Sequence, residues 1–238
     1  MRIKALISLL QFTTILPLGK PQDLESFARH SYLYPCAGYI IAGLTALPVF
    51  FIADRTLAAA VAIACILLIS GAHHFDGLLD LGDGLMAHGD REKRIRALTD
   101  RQVGAGGIAA GIAVTILLFA GLQVSSSIVI AIIIGEVCAK FSMALLTTYG
   151  PPFREGMHSY LHQFSKPYFP FIAALFCLPL VFLPVSPLKL AGAAIAMVVC
   201  PAILSLISKR LFGGVNGDIV GASNEITRAC VILTIALI

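Results

Sequence analysis

Three aspartates fall within eight positions, Asp76, Asp80 and Asp83, in the stretch "HHFDGLLDLGDG" that covers residues 73–84. As a helix they sit at offsets 0, 4 and 7, inside roughly a 60° arc at about 100° per residue. His73, three positions earlier, falls beside them. Carboxylates this close repel one another. Protonation, basic neighbours or a divalent cation must offset the repulsion. Clustered hard oxygens with no thiolate suit Mg2+, with Mn2+ as the alternative. The plain structural reading is a solvated helix end with its acids in water. Zinc fits less well, because His73 and His74 are adjacent rather than spaced i, i+4. Gly77, Gly82 and Gly84 each weaken a helix by up to about 1 kcal/mol. They make sense where a ligand or another backbone comes close.

A second polar block, "GGVNGDIVGASNE", covers residues 213–225. Asp218 and Glu225 are seven apart and share a helical face, with Gly221 and Ala222 between them. Small residues there allow two helices to pack closely in lipid. Asp218 is therefore expected to meet the Asp76 helix, with Leu79 or Gly82 against Val220 or Gly221. Glu225 should lie one or two turns deeper, protonated or paired, since an unpaired charge there is expensive. The glycine-rich start could cradle phosphate, or simply join a loop to a span. A third segment, "TDRQVGAGG" at 99–107, places Asp100, Arg101 and Gly104 together. Arg101 reads either as a phosphate fork or as a basic membrane anchor. Glu136 and Lys140 lie mid-span at i, i+4, the order that favours an ion pair, and such a pair can be functional or structural. Arg154, His158 and His162 occupy another loop; the two histidines read as substrate contacts or surface.

The elements that must carry these residues are membrane helices. Of 238 residues 58% are apolar and 13% charged, with mean hydropathy +0.91, against about 25% charged in soluble domains. Continuous apolar runs exclude a β-barrel, which would alternate. The expected fold is all-α: one polytopic domain over 1–238 with six to seven spans. These lie near 31–52, 57–79, 105–124, 128–148, 169–186, 188–208 and 226–238, the last being short. Ala5–Leu18 resembles a signal peptide's apolar region but is followed by no A-x-A-like site. It reads as a retained interfacial or re-entrant helix. With the 80–104 loop in the cytoplasm, thirteen lysines and arginines fall inside and only Arg55 and Lys189 outside. That is a strong positive-inside bias, and it places the polar machinery of a multi-pass cell-membrane protein on the cytoplasmic side. The net charge of +4 gives no ground for a nucleic-acid partner. Six scattered cysteines in apolar runs read as small buried hydrophobes. Whether the chain acts as a homo-oligomer is left open by the sequence.

The stretch "HHFDGLLDLGDGLMAHGDREKRIRALTDRQVGAGG", residues 73–107, resembles the signature of the cobalamin synthase family, the adenosylcobinamide-GDP ribazoletransferases. "GDIVGASNE" is similar to that family's second block, and "FTTILPLG" and "YPCAGYIIAG" to its N-terminal region. The resemblance spans nearly the whole chain. It implies a Mg2+-dependent membrane transferase of late coenzyme B12 assembly. Such an enzyme joins adenosylcobinamide-GDP to α-ribazole, or its 5′-phosphate, and releases GMP. Displacement at a diphosphate needs a cation on the bridging charge and an in-line hydroxyl. On this reading Asp76, Asp80 and Asp83 hold the metal, and Asp83 also takes part in the chemistry. Arg101 and Arg154 neutralise oxygens, and His73 or His74 takes the hydroxyl proton. Gly77, Gly84, Asp100, Gly104, Asp218, Gly221 and Glu225 would contact substrate.

Two rivals remain. CDP-alcohol phosphotransferases also set aspartates on membrane helices, but with an Ala-Arg pair that "DGLLDLGDG" lacks. A cation- or proton-coupled transporter could use Glu136 and the aspartates, but should show matching broken spans and polar groups on both sides.

Overall fold

The computed structural model describes residues 2–238. The described residues form twelve α-helices and two short 3-10 helices, with no strand. In chain order these are α1 (Arg2–Thr13), α2 (Leu24–Ala28), α3 (Tyr34–Phe50), α4 (Arg55–Ile69), α5 (His73–Met86) and α6 (Arg91–Leu98). They continue with α7 (Ala105–Val124), α8 (Ile128–Tyr149), α9 (Met157–Phe164), α10 (Phe169–Cys177), α11 (Pro187–Leu211) and α12 (Gly217–Leu237). Five helical segments are long and apolar enough to cross a membrane, and seven if each of two bent pairs counts as one span. The fold is the expected all-α polytopic bundle. α8 and α12 form its interior, most of their residues being buried, while α11 turns most of its surface outward.

Several boundaries differ from the sequence reading. The run expected as one span over 57–79 breaks. Gly71 (φ 60°) and Ala72 (φ 57°) both take the left-handed conformation, which stops a right-handed helix. α5 then leaves at 94° to α4 and runs antiparallel along α7 and α12, with Phe75 near Gly111 and Asp83 at Gly104 and Gly107, where α7 starts. The last span is not short: α12 runs 21 residues, capped by the Asn216 side chain on the Ile219 N–H at 3.1 Å. The span expected over 169–186 gives way to a 3-10 turn, Leu178–Phe182, where Pro179 removes a helix donor. The N-terminal apolar helix ends at Thr13 rather than Leu18.

Arg55 and Lys189, the two basic residues expected outside, both cap helix ends. Arg55 donates to the Gln123 carbonyl at 2.9 Å and to that of Ser125. Lys189 Nζ donates to the Ile235 carbonyl at 2.7 Å. Cations at the C-terminal ends of α7 and α12 meet orphan carbonyls and the negative end of the helix dipole.

Charged residues in the interior are paired, though not as the i, i+4 spacing suggests. Glu136 pairs with Arg228 of α12, not with Lys140. Lys140 Nζ instead donates to Asn224 Oδ1 at 2.8 Å. Asn224 Nδ2 donates to Glu225 Oε1 at 3.0 Å, and Arg228 Nη1 donates to Glu225 Oε2 at 2.5 Å. Formally two positive charges meet two negative ones, and the cluster is neutral.

Helix contacts at glycine set the finer spacing. A Cβ on Gly77 would lie 2.5 Å from the Asp218 carbonyl oxygen, whereas one on Gly43 in α3 would meet nothing within 4 Å. Gly77→Ala should therefore lower stability by about 1–3 kcal/mol through overpacking. Gly43→Ala should be neutral or slightly stabilising. Thermal unfolding of the two variants in detergent measures the contrast.

Candidate active site

α5 presents two packing faces with the carboxylates between them. One face lies on α12, where Gly77 meets the Asp218 backbone and the Gly221 position lies 3.3 Å from the His74 Cα. The other lies on α7, where Gly82 meets Gly106, Gly107 and Ala110. The expected approach of Asp218 to the Asp76 helix is present, but through His74 and Gly77. Leu79 and Gly82 face α7 instead. Gly77 and Gly84 approach protein rather than open space, the latter against Leu98 and Phe212.

Asp83 is committed to structure. Its two oxygens accept from the Gly104 N–H at 2.7 Å and the Gly107 N–H at 2.8 Å. A carboxylate from α5 thus caps α7, satisfying orphan donors and facing the positive end of its dipole. Gly104 is needed there because a Cβ would lie 2.5 Å from the Asp83 carboxylate.

The loop before α9 carries Arg154 to this corner. Val215 N–H donates to the Pro151 carbonyl at 2.8 Å and Phe153 N–H to that of Val215 at 3.3 Å, pinning the loop to the start of α12. Arg154 and Asp218 then line one polar cavity of about 140 Å³ with Asn216. Asn216 Nδ2 donates to Asp218 Oδ2 at 2.6 Å. Burial, then the carboxylates of Asp218, Asp76 and Asp83, push Asp80 up to about 7, opposed by Arg154. So the second block reaches the first electrostatically as well as in packing. Among the described residues no three His, Cys, Asp or Glu side chains converge as a ready-made chelate. The donor set fits a cation of the Mg2+ type, which commonly takes one or two carboxylates and completes its shell from substrate phosphates.

Other residues fall elsewhere. His73 is exposed and His74 buried. Arg101 is exposed, and Asp100 accepts from the Gln102 N–H at 3.1 Å in its own turn. Glu225 belongs to the buried charge cluster. His158 and His162, read as substrate contacts or surface, anchor α9 to the end of α8. Their rings contact the carbonyls of Gly150 at 2.8 Å and Thr147 at 3.0 Å. Asn216 is a site residue that the sequence reading did not single out. Its signal was present: an amide side chain immediately before a helix start is a favoured N-cap.

A helical multi-pass membrane protein with an acidic cleft, faced by arginine, at one end of its bundle is the class these features define. Residues 5–236 match the family described as cobalamin-5-phosphate synthase, and the chain belongs to that family. It is 35% identical to an adenosylcobinamide-GDP ribazoletransferase of Archaeoglobus fulgidus over 98% of both chains. It is 34% identical to that of Methanocella arvoryzae over 95% of this chain and 92% of the relative. With that of Methanococcoides burtonii it shares 32%, over 95% and 90%. No solved structure matches the chain.

The two aspartates of α5 should part company on mutation. Asp83→Ala strands two N–H groups and should cost about 1–3 kcal/mol. Asp80 is the opposite case. Its folded pKa lies above the ordinary 3.8, at about 7, so ionisation opposes folding and stability falls as pH rises through that window. In chelator at pH 8, Asp80→Asn should raise the melting temperature where Asp83→Ala lowers it.

Proposed function

We propose that this chain joins adenosylcobinamide-GDP to α-ribazole, or to α-ribazole 5′-phosphate, releasing GMP and forming adenosylcobalamin or its 5′-phosphate. The observation that carries this reading is that Asp80 lies within electrostatic reach of Asp76, Asp218 and Arg154, beside the cavity that Arg154 and Asp218 line, so that both sequence blocks that resemble the family contribute to one corner. In the reaction a ribose hydroxyl oxygen forms a bond to the phosphorus that bears the cobinamide. The bond from that phosphorus to the GMP oxygen breaks, and the hydroxyl proton passes to a base. Such displacement depends on positioning and charge stabilisation more than on covalent chemistry by the protein.

One or two of Asp76, Asp80 and Asp218 would hold Mg2+, or Mn2+, which would complete its shell from the diphosphate. Bound there, the ion would offset the charge that builds on the departing phosphate. Arg154 would bind diphosphate oxygens from the opposite wall. Asp83, with both oxygens on α7, would act by fixing the angle of α5. His73, which is exposed and lines one cavity with Asp218, is suited to take the hydroxyl proton, while His74 is buried. Arg101 and Asp100, exposed at the approach to α7, would meet the outer part of the large donor. The cleft would face the cytoplasm of a cell-membrane enzyme, a reading supported by the thirteen-to-two distribution of basic residues.

GMP release by the purified protein given both substrates is the direct test. Turnover should require a divalent cation and stop in excess chelator. Asp80→Asn and Asp218→Asn should each lose at least about a hundredfold in rate, the scale of removing one transition-state charge contact, while remaining folded. Full activity in chelator would end the metal reading. Wild-type rates with Asp218→Asn would reduce the second block to a packing motif.

A further inference from the structure

Packing fixes the backbone of Asp218 but does not orient its carboxylate. Gly77 of α5 lies against that backbone, and α12 runs on from it without a break. The side chain is held by Asn216. Its Nδ2 donates to Asp218 Oδ2 at 2.6 Å, and its Oδ1 accepts from the Ile219 N–H at 3.1 Å. With both ends engaged the amide has one orientation, because a flip would set oxygen against carboxylate and NH2 against N–H. Asn216 is 4% exposed, so water competes little for either bond. The residue before it is tied to the loop that carries Arg154. Val215 N–H donates to the Pro151 carbonyl at 2.8 Å, and its carbonyl accepts from the Phe153 N–H at 3.3 Å. Arg154, Asn216 and Asp218 then line the same cavity. One amide thus connects the segment bearing the guanidinium to the carboxylate.

The residue type carries information beyond the cap. Asn, Asp and Ser are about equal as N-caps, so capping alone does not call for asparagine. Aspartate here would set a second carboxylate against Asp218. Serine is one bond shorter and would use its single oxygen for the cap. Asparagine alone of the three both caps α12 and donates to Asp218. We infer that Asn216 is a positioning residue for the transfer: it holds Asp218 Oδ2 and leaves Oδ1 as the oxygen that meets the cation or the substrate. Oδ1 accepts no hydrogen bond from the described residues. The inference rests on the function proposed above and adds the group that aims one of its carboxylates. A bond from an amide to a carboxylate is charge-assisted, hence short and strong. It orders Asp218 before substrate arrives, so that ordering is not added to the barrier.

Two substitutions in the full-length protein separate positioning from capping. Asn216→Ser removes the bond to Asp218 and keeps a cap; Asn216→Ala removes both. The melting temperature in detergent should therefore fall for Asn216→Ala and stay near wild type for Asn216→Ser. GMP release at saturating substrates should fall about tenfold to a hundredfold in both, the scale of one hydrogen bond to a charged group. Stabilisation against melting by Mn2+ with GDP, a stand-in for the diphosphate, gives a readout without turnover. Its midpoint concentration should rise about tenfold in Asn216→Ser. Should Asn216→Ser fail to fold, Asn216→Asp keeps the shape and the cap and should lose at least as much rate. A wild-type rate and Mn2+–GDP midpoint in Asn216→Ser, or a rate that falls only where stability falls, would reduce Asn216 to a cap and leave the overall reaction intact. No GMP release by the wild type would refute the proposed reaction, and the inference with it.

Discussion

Arg228 is 1% exposed, in an apolar interior that offers its guanidinium no water. It is held by carboxylates on two elements, Glu136 of α8 and Glu225 of α12. Removing one partner from such a set typically costs about 3–5 kcal/mol, because the other charge is left bare. That penalty opposes sliding or rotation of α12 against α8. Asp218 lies seven residues before Glu225 on the same unbroken helix, about 10 Å along a rigid rod. The charge cluster therefore fixes where Asp218 emerges. Lys140, through Asn224, adds a second tie between the same helices.

From that fixed point the cleft is assembled by close backbone approach. The Gly77 position abuts the Asp218 backbone, and Gly221 abuts His74, so α5 and α12 meet without side chains between them. On its other side α5 is held by Asp83 at the start of α7. The bend at Gly71–Ala72 turns α5 back toward the starts of α7 and α12, where Asp83 and Asp218 lie. Carboxylates at the end of a hydrophobic segment are tolerable because one is spent on a helix cap. The others stay at least partly exposed, opposite Arg154. The residual repulsion, visible at Asp80, is what a cation and diphosphate would relieve.

Periodicity and composition made the class of fold and the shared face of Asp76, Asp80 and Asp83 legible in the sequence. The small residues between Asp218 and Glu225 also announced a close helix contact. Ser70-Gly71 does carry a helix-stop signal at the bend after α4, but the long apolar run leading into it masks that signal, and the left-handed Ala72 beside it carries none. The partner of Glu136 was hidden for another reason. Local spacing favours Lys140, but in lipid the better bidentate cation, Arg228, comes from a helix that is remote in sequence. The choice between α7 and α12 as neighbours of Gly82 likewise depends on tertiary packing. So does the capping duty of Asp83, since its donors lie 21 and 24 residues away.

The central claim is that the two polar blocks, more than 100 residues apart, meet through one face of α5. Disulfide trapping in native membranes tests it most directly, in a background without the six native cysteines. The pair His74→Cys with Gly221→Cys should crosslink efficiently, since the Gly221 Cβ position lies 3.3 Å from the His74 Cα. The pair Leu79→Cys with Gly111→Cys, across α5 and α7, serves as a positive control for trapping, since a Cβ on Gly111 meets only the ends of the Leu79 and Phe75 side chains. The pair Leu79→Cys with Gly221→Cys should stay reduced. Efficient trapping of Leu79 with Gly221, and none of His74 with Gly221 while the control forms, would contradict the account.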